Sequence, residues 1–105
     1  VKTLEVTRAT RSTRLDGLEI KEGQYIGLLD GKLCVAANKP SDVVFALLSR
    51  IDIAAVSIVS IYKGADAKDT EAEKIRAKIS REYPALETEV IDGGQPYYDY
   101  ILSVE

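Results

Sequence analysis

An α+β, two-layer fold, in which a mixed sheet packs under two helices, is predicted by three features of this 105-residue chain. Glycine punctuates the first third at Asp16-Gly17, Glu22-Gly23 and Asp30-Gly31, separating short runs rich in Leu, Ile, Val, Tyr and Thr. That is the pattern of strands joined by tight turns. After Pro40 the apolar spacing changes from two residues to a helical repeat, and the last half then reads strand, helix, strand, strand. The predicted order is N-terminal β-hairpins, a helix, a βαβ unit and a final strand, within one domain spanning 1–105.

Thr3–Thr13 and Leu18–Ile20 are the first expected strands. Tyr25–Leu29 and Lys32–Ala36 pair across Asp30-Gly31, because both turn residues tolerate the positive φ of a type I′ turn. Gly27 inside the first arm marks a bulge or a close backbone contact. Ser41 is the expected N-cap of a helix that places Val43, Val44, Leu47, Leu48 and Ile51 on one face. Ala55–Tyr62 is apolar or small almost throughout and is β-branched at Val56, Ile58, Val59 and Ile61, which predicts a central strand covered on both faces. Thr70-Glu71-Ala72-Glu73 fits a capping box opening a helix over 70–83, with Ala72, Ile75, Ile79 and Tyr83 on one stripe and Pro84 as its stop. Leu86–Ile91 alternates and pairs in parallel with 55–62. Gly93-Gly94-Gln95-Pro96 is a loop, and Tyr98, Tyr100, Leu102 and Val104 form one face of the last strand.

Composition narrows the chemistry. There is no histidine, so no Ser-His or Cys-His pair and no imidazole base can be assembled. The single cysteine, Cys34, cannot close an internal disulfide, which makes the cytoplasm the expected compartment. In a hairpin arm it reads as a buried inert thiol. A net charge of -3 argues against nucleic acid, whose phosphates select a dense basic face. No apolar run approaches the ~20 residues of a membrane helix. Methionine is absent even at position 1, so the chain is expected to be a fragment of a longer one.

Two blocks then stand out together: the run from Arg14-Leu15-Asp16-Gly17 through Leu29-Asp30-Gly31-Lys32, and the ending Gly93-Gly94-Gln95-Pro96-Tyr97-Tyr98-Asp99-Tyr100-Ile101-Leu102-Ser103-Val104-Glu105. They cover about a third of the chain, and in order and spacing the sequence resembles the C-terminal end of bacterial DhaL-domain proteins related to dihydroxyacetone kinase, with the large subunit of fatty acid kinase as the nearest member. The resemblance implies a division of labour. An N-terminal DhaL domain binds ATP and magnesium, a middle domain supplies further active-site residues, and the C-terminal region engages a separate DegV-type protein that carries the fatty acid. Phosphoryl transfer to the acyl carboxylate gives an acyl-phosphate. On that reading the present segment holds no catalytic residue, cofactor site or metal site, in line with its lack of histidine and of a phosphate loop ending in Lys-Ser/Thr.

Arg8, Arg11 and Arg14 concentrate positive charge near the amino end, and they either dock a partner or guard an edge strand against unwanted pairing. Alternation turns Tyr98 and Tyr100 inward and Tyr97 and Asp99 outward, leaving Tyr97 as a surface contact. Arg8, Arg11, Arg14 and Tyr97 are therefore the candidate partner-binding residues. Gly93, Gly94 and Pro96 read as turn formers, with a ligand-cradling loop as the lesser reading. Asp66, Asp69, Glu71 and Glu73 suit the dipole of the second helix better than a metal. Three functions follow: a non-catalytic docking domain of a fatty acid kinase-like protein, a purely structural domain that stabilises the parent or its dimer, or a domain that itself binds a small ligand beside the Gly93-Gly94 loop.

Overall fold

The computed structural model describes all 105 residues. Strands β1 (Lys2–Arg8), β2 (Thr13–Leu15), β3 (Leu18–Ile20), β4 (Tyr25–Leu29) and β5 (Lys32–Ala37) precede helix α1 (Pro40–Leu48). They are followed by a 3₁₀ turn (Ile53–Ala55), β6 (Ile58–Lys63), helix α2 (Asp69–Glu82), β7 (Glu87–Asp92) and β8 (Tyr98–Val104). The main sheet has six strands in the order β5-β4-β1-β8-β6-β7, and β2-β3 form a small hairpin sheet of their own. All pairings are antiparallel except β6 with β7, so the sheet is mixed, as the sequence predicts.

Local chemistry accounts for most elements. Asp30 and Gly31 take φ of +49° and +83°, turning β4 directly into β5. Gly27 satisfies both expectations. The β4–β5 register slips beside it, and a Cβ placed there would lie 2.6 Å from Val43 Cγ1 and 2.9 Å from Leu47 Cδ1, so α1 packs onto bare backbone. Val43, Val44, Leu47 and Leu48 are fully buried on the sheet, joined by Leu4, Val6, Val59, Ile61, Leu102 and Val104 from the strands and Ala72, Ile75 and Ile79 from α2. Both helices lie on this one side. Ile20 is buried outside that cluster, where β3 touches β5.

Six expectations are corrected. Thr3–Thr13 is not one strand, because the chain leaves the sheet after Arg8 and resumes in the β2-β3 hairpin. α1 starts at Pro40 with Lys39 as N-cap, since proline's fixed φ and missing N–H suit the first helical position, and Ser41 falls inside the helix. α2 likewise starts at Asp69 with Lys68 as N-cap, and Glu73 bonds Arg76 instead of closing a capping box. β6 begins at Ile58, alternates buried and half-buried residues, and lies next to the sheet edge; with helices on one side only, the central pair is β1 and β8. Ile51 packs against the core from beyond the end of α1, and Cys34 is half-buried, its Sγ 3.4 Å from the Lys32 carbonyl oxygen. No helix is long and apolar enough to cross a membrane.

A candidate docking cleft at one end of the sheet

β1 and β6 both run antiparallel to β8, so they point the same way and end at the same rim of the sheet. Register places Arg8 beside Tyr25, Thr7 beside Tyr98, and Lys63 beside Tyr100. The first turn of α2 reaches this rim through the loop that leaves β6. Ligands of α/β sheets gather outside the carboxyl ends of parallel strands for this geometric reason.

The loops are locked to each other through backbone. Gly93 and Gly94 N–H donate to the Lys63 carbonyl at 2.9 and 3.0 Å, Gly64 N–H donates to the Asp99 carbonyl at 2.8 Å, and Ala65 N–H donates to the Gln95 carbonyl at 3.0 Å. The amides of Gly93 and Gly94 are thereby used internally rather than offered to an anion. Gln95 Nε2 adds a bond of 3.0 Å to the Tyr62 carbonyl. Lys63 is the one charged residue that is buried, and its Nζ reaches the Ala67 carbonyl at 3.4 Å, Asp69 Oδ1 at 3.4 Å and Asp92 Oδ1 at 3.7 Å. One ammonium thus ties the loop after β6, the start of α2 and the end of β7 together.

Against this braced edge lies a cavity of about 510 Å³ lined by Arg8, Tyr25, Asp66, Glu71, Tyr97 and Asp99, among others. Arg8 donates to the Tyr25 hydroxyl and stacks its guanidinium 4.9 Å from the ring centre. Tyr100 is fully buried and donates from its hydroxyl to Glu71 Oε1 at 2.6 Å. Burial holds the phenol proton well above the usual tyrosine range, and the bond to Glu71 reinforces it. Burial also raises the Asp99 carboxyl, an effect that Arg8 opposes and that Glu71 and Asp66 strengthen.

Asp99 therefore supplies a pH test. Its raised value in the folded protein means that the ionised carboxylate opposes folding at neutral pH, and the penalty disappears once both states are protonated below the ordinary value of 3.8. Asp99→Asn is expected to raise the thermal midpoint at pH 7 by about 1–4 °C and to leave it unchanged near pH 3. A scanning-calorimetry series showing equal midpoints at both pH values refutes this account.

Tyr97 is the most unusual residue of the cleft. It is 84% exposed, and it holds φ of +70°, a region that bulky side chains avoid. Tyr98 N–H bonds the Pro96 carbonyl at 2.8 Å across it, and Thr7 Oγ1 donates to the Tyr97 carbonyl at 2.5 Å. An exposed aromatic ring thus sits on strained backbone, and such strain clusters at functional sites.

Of the four residues singled out from sequence, the fold brings Arg8 and Tyr97 together. Arg11 sits exposed between β1 and β2, and Arg14 lies on the β2-β3 hairpin beside a separate polar groove. The sequence reading missed Tyr25 and Asp99 as members of the site. Strand alternation had turned Asp99 outward, but the β1–β8 register slips between Val6 and Thr7, which leaves Asp99 as the extra residue of β8, and it lines the cleft with Asp66 and Glu71. Asp69, Glu71 and Glu73 bond Lys63, Tyr100 and Arg76, and no three acidic or thiol side chains gather closely enough to hold a metal ion.

Fold and cleft define a two-layer α/β module with one braced, polar loop edge that presents a single exposed aromatic ring. Over residues 1–105 it belongs to the FakA-like C-terminal family of fatty acid kinase. Across all 105 residues it is 38% identical to an uncharacterized protein of Staphylococcus haemolyticus, 37% identical to Protein YloV of Bacillus subtilis and 34% identical to an uncharacterized protein of Staphylococcus aureus. The chain spans 19% of the length of each of these relatives.

Proposed function

We propose that this domain docks a DegV-type, fatty-acid-carrying protein on the cleft that holds Arg8 and Tyr97, so that the acyl carboxylate is phosphorylated by ATP and magnesium bound on other domains of a cytoplasmic parent. Membership of a FakA-like family of fatty acid kinase supports the reading. The observation that carries it is Tyr97, an aromatic ring kept in solvent at the cost of backbone strain, beside a cation. Tyrosine and arginine are the residues that dominate interface energetics when a partner covers them. The domain's contribution to turnover is then proximity, which converts an encounter between two proteins into a positioned complex.

Calorimetric titration with a lipid-loaded DegV-type carrier tests the proposal. Tyr97→Gly relieves the positive φ and removes the ring, so it is expected to weaken carrier binding about tenfold or more while the thermal midpoint holds or rises. Arg8→Ala is expected to weaken binding and to reduce its dependence on salt. A folded domain that binds no carrier, or that binds equally well without Tyr97 and Arg8, removes the docking role from this cleft. The purely structural reading then takes its place.

A further inference from the structure

A second surface has no role in the docking proposal. Between the amino end of α1 and the outer side of α2 runs an open groove of about 560 Å³, lined by Lys39, Lys68, Lys74, Lys78 and Arg81 with Glu71 as its one acid. Glu71 is already engaged, accepting from the Tyr100 hydroxyl. The ion pairs of the protein join Lys2 to Asp30, Lys63 to Asp69 and Asp92, and Arg76 to Glu73, so none of the five cations of the groove has an acidic partner. In a chain of net charge -3, five unpaired cations on one concavity are a marked asymmetry.

The placement of most of them works against the helices that carry them, Arg81 in the last turn of α2 being the exception. Lys39 and Lys68 occupy the N-cap positions of α1 and α2, where no side chain caps either helix and where the macrodipole disfavours positive charge. Lys74, Lys78 and Arg81 stand at intervals of four and three residues, the spacing that stacks like charges on one helix face. Lys78 is held by the Phe45 ring, 4.5 Å from its centre, rather than by a carboxylate. Departures from local rules that converge on one surface are where function overrides stability.

We infer that this groove binds an acidic segment of a partner protein. The three α2 cations extend over roughly 10 Å of helix at 1.5 Å per residue, which matches a run of carboxylates along a chain rather than one phosphate. No aromatic side chain lines the groove, so bases have nothing to stack on, and its concave shape receives a polypeptide better than a flat bilayer. Pro40 and Ile75 give it an apolar floor. The site lies on the helix layer, adjacent to the cleft through Lys68 and Glu71, and its occupation does not depend on the carrier-docking reading.

Fluorescence anisotropy of a labelled poly-glutamate peptide, titrated with the 105-residue chain, tests the inference, with poly-glutamine, inorganic phosphate and phosphatidylglycerol vesicles as comparisons. Poly-glutamate is expected to bind and poly-glutamine not to bind. The paired change Lys74→Glu and Lys78→Glu is expected to weaken binding about tenfold or more, and the neutral pair Lys74→Gln and Lys78→Gln to give a smaller loss. Both variants are expected to keep the wild-type circular dichroism spectrum, because neither Lys74 nor Lys78 is among the buried residues of the core. Equal binding by wild type and the charge-reversed pair overturns the inference, and so does phosphate or vesicle binding that is stronger than peptide binding.

Discussion

Gly64→Ala is expected to be the most damaging single-methyl change in the molecule. A Cβ on Gly64 would lie 2.1 Å from the Tyr98 carbonyl oxygen and 3.1 Å from that of Gln95, and both atoms are backbone. No rotamer change relieves such a contact. The loop after β6 and the start of β8 must move apart, which lengthens the bonds from Gly64 N–H to Asp99 and from Ala65 N–H to Gln95. Overpacking of this kind costs about 3 kcal/mol or more, or over about 10 °C of thermal midpoint in a domain of this size. Gly94→Ala is the natural comparison, since its φ of +64° is strained for alanine but no atom lies within 4 Å of the new methyl. That variant is expected to lose only about 1 kcal/mol. Similar midpoints for the two variants in scanning calorimetry contradict the argument, because they leave backbone collision no effect beyond torsional strain.

Tyr100 is the second position of large effect, and its ring and its hydroxyl separate cleanly. The side chain is fully buried in the core while its hydroxyl reaches Glu71. Tyr100→Ala removes the ring and leaves a cavity, at a cost of about 3–5 kcal/mol. Tyr100→Phe keeps the packing and deletes one charge-assisted bond, for about 1–2 kcal/mol. The phenol proton is held above its ordinary value of 10.0, first by burial and then by Glu71. Below that value both folded and unfolded states keep the proton, whereas above it the unfolded chain releases the proton first. The wild type is thus expected to lose stability as pH climbs past 10, and Tyr100→Phe to lack that component of the loss. Parallel denaturant-stability curves for the two proteins from about pH 8 to about pH 11 contradict the assignment.

Legibility from sequence followed the range of each interaction. Gly31 and Gly27 were readable because a type I′ turn and a helix resting on bare backbone each demand glycine within a short window. Both helices were readable from Val43, Val44, Leu47 and Leu48 and from Ala72, Ile75 and Ile79, since burial imposes a helical repeat on neighbours in the chain. Their starting residues were displaced because a side-chain cap was expected at Ser41 and Thr70, whereas Pro40 opens α1 and Lys68 precedes α2 without a cap bond. The position of β6 was not readable, because an apolar strand beside the edge and one in the centre have the same composition. In the cleft, alternation exposed Tyr97 but wrongly turned Asp99 outward as well, because the slip in register between β1 and β8 at that point cannot be read from the residues of β8 alone. The basic groove escaped notice because Lys39 and Arg81 meet only when α1 and α2 lie on the same side.

The pairing of β1 with β8 divides the molecule in a way that follows the chain. Residues up to Leu48 contribute β1, β4, β5 and α1, residues from Ile58 contribute β6, α2, β7 and β8, and β1 against β8 is the only strand pairing that joins the two groups. The seam joins strands from opposite ends of the chain, so it is the pairing of longest sequence separation and the one whose closure is expected to be slowest. Until it closes, both halves present a raw strand edge backed by Leu4 and Val6 on one side and by Leu102 and Val104 on the other. The complementary edge on a second copy is equally acceptable to either half. Exchange of halves between chains, which would yield an intertwined dimer with every native pairing intact, is the misassembly expected of this topology, and size-exclusion chromatography after refolding at high concentration checks it.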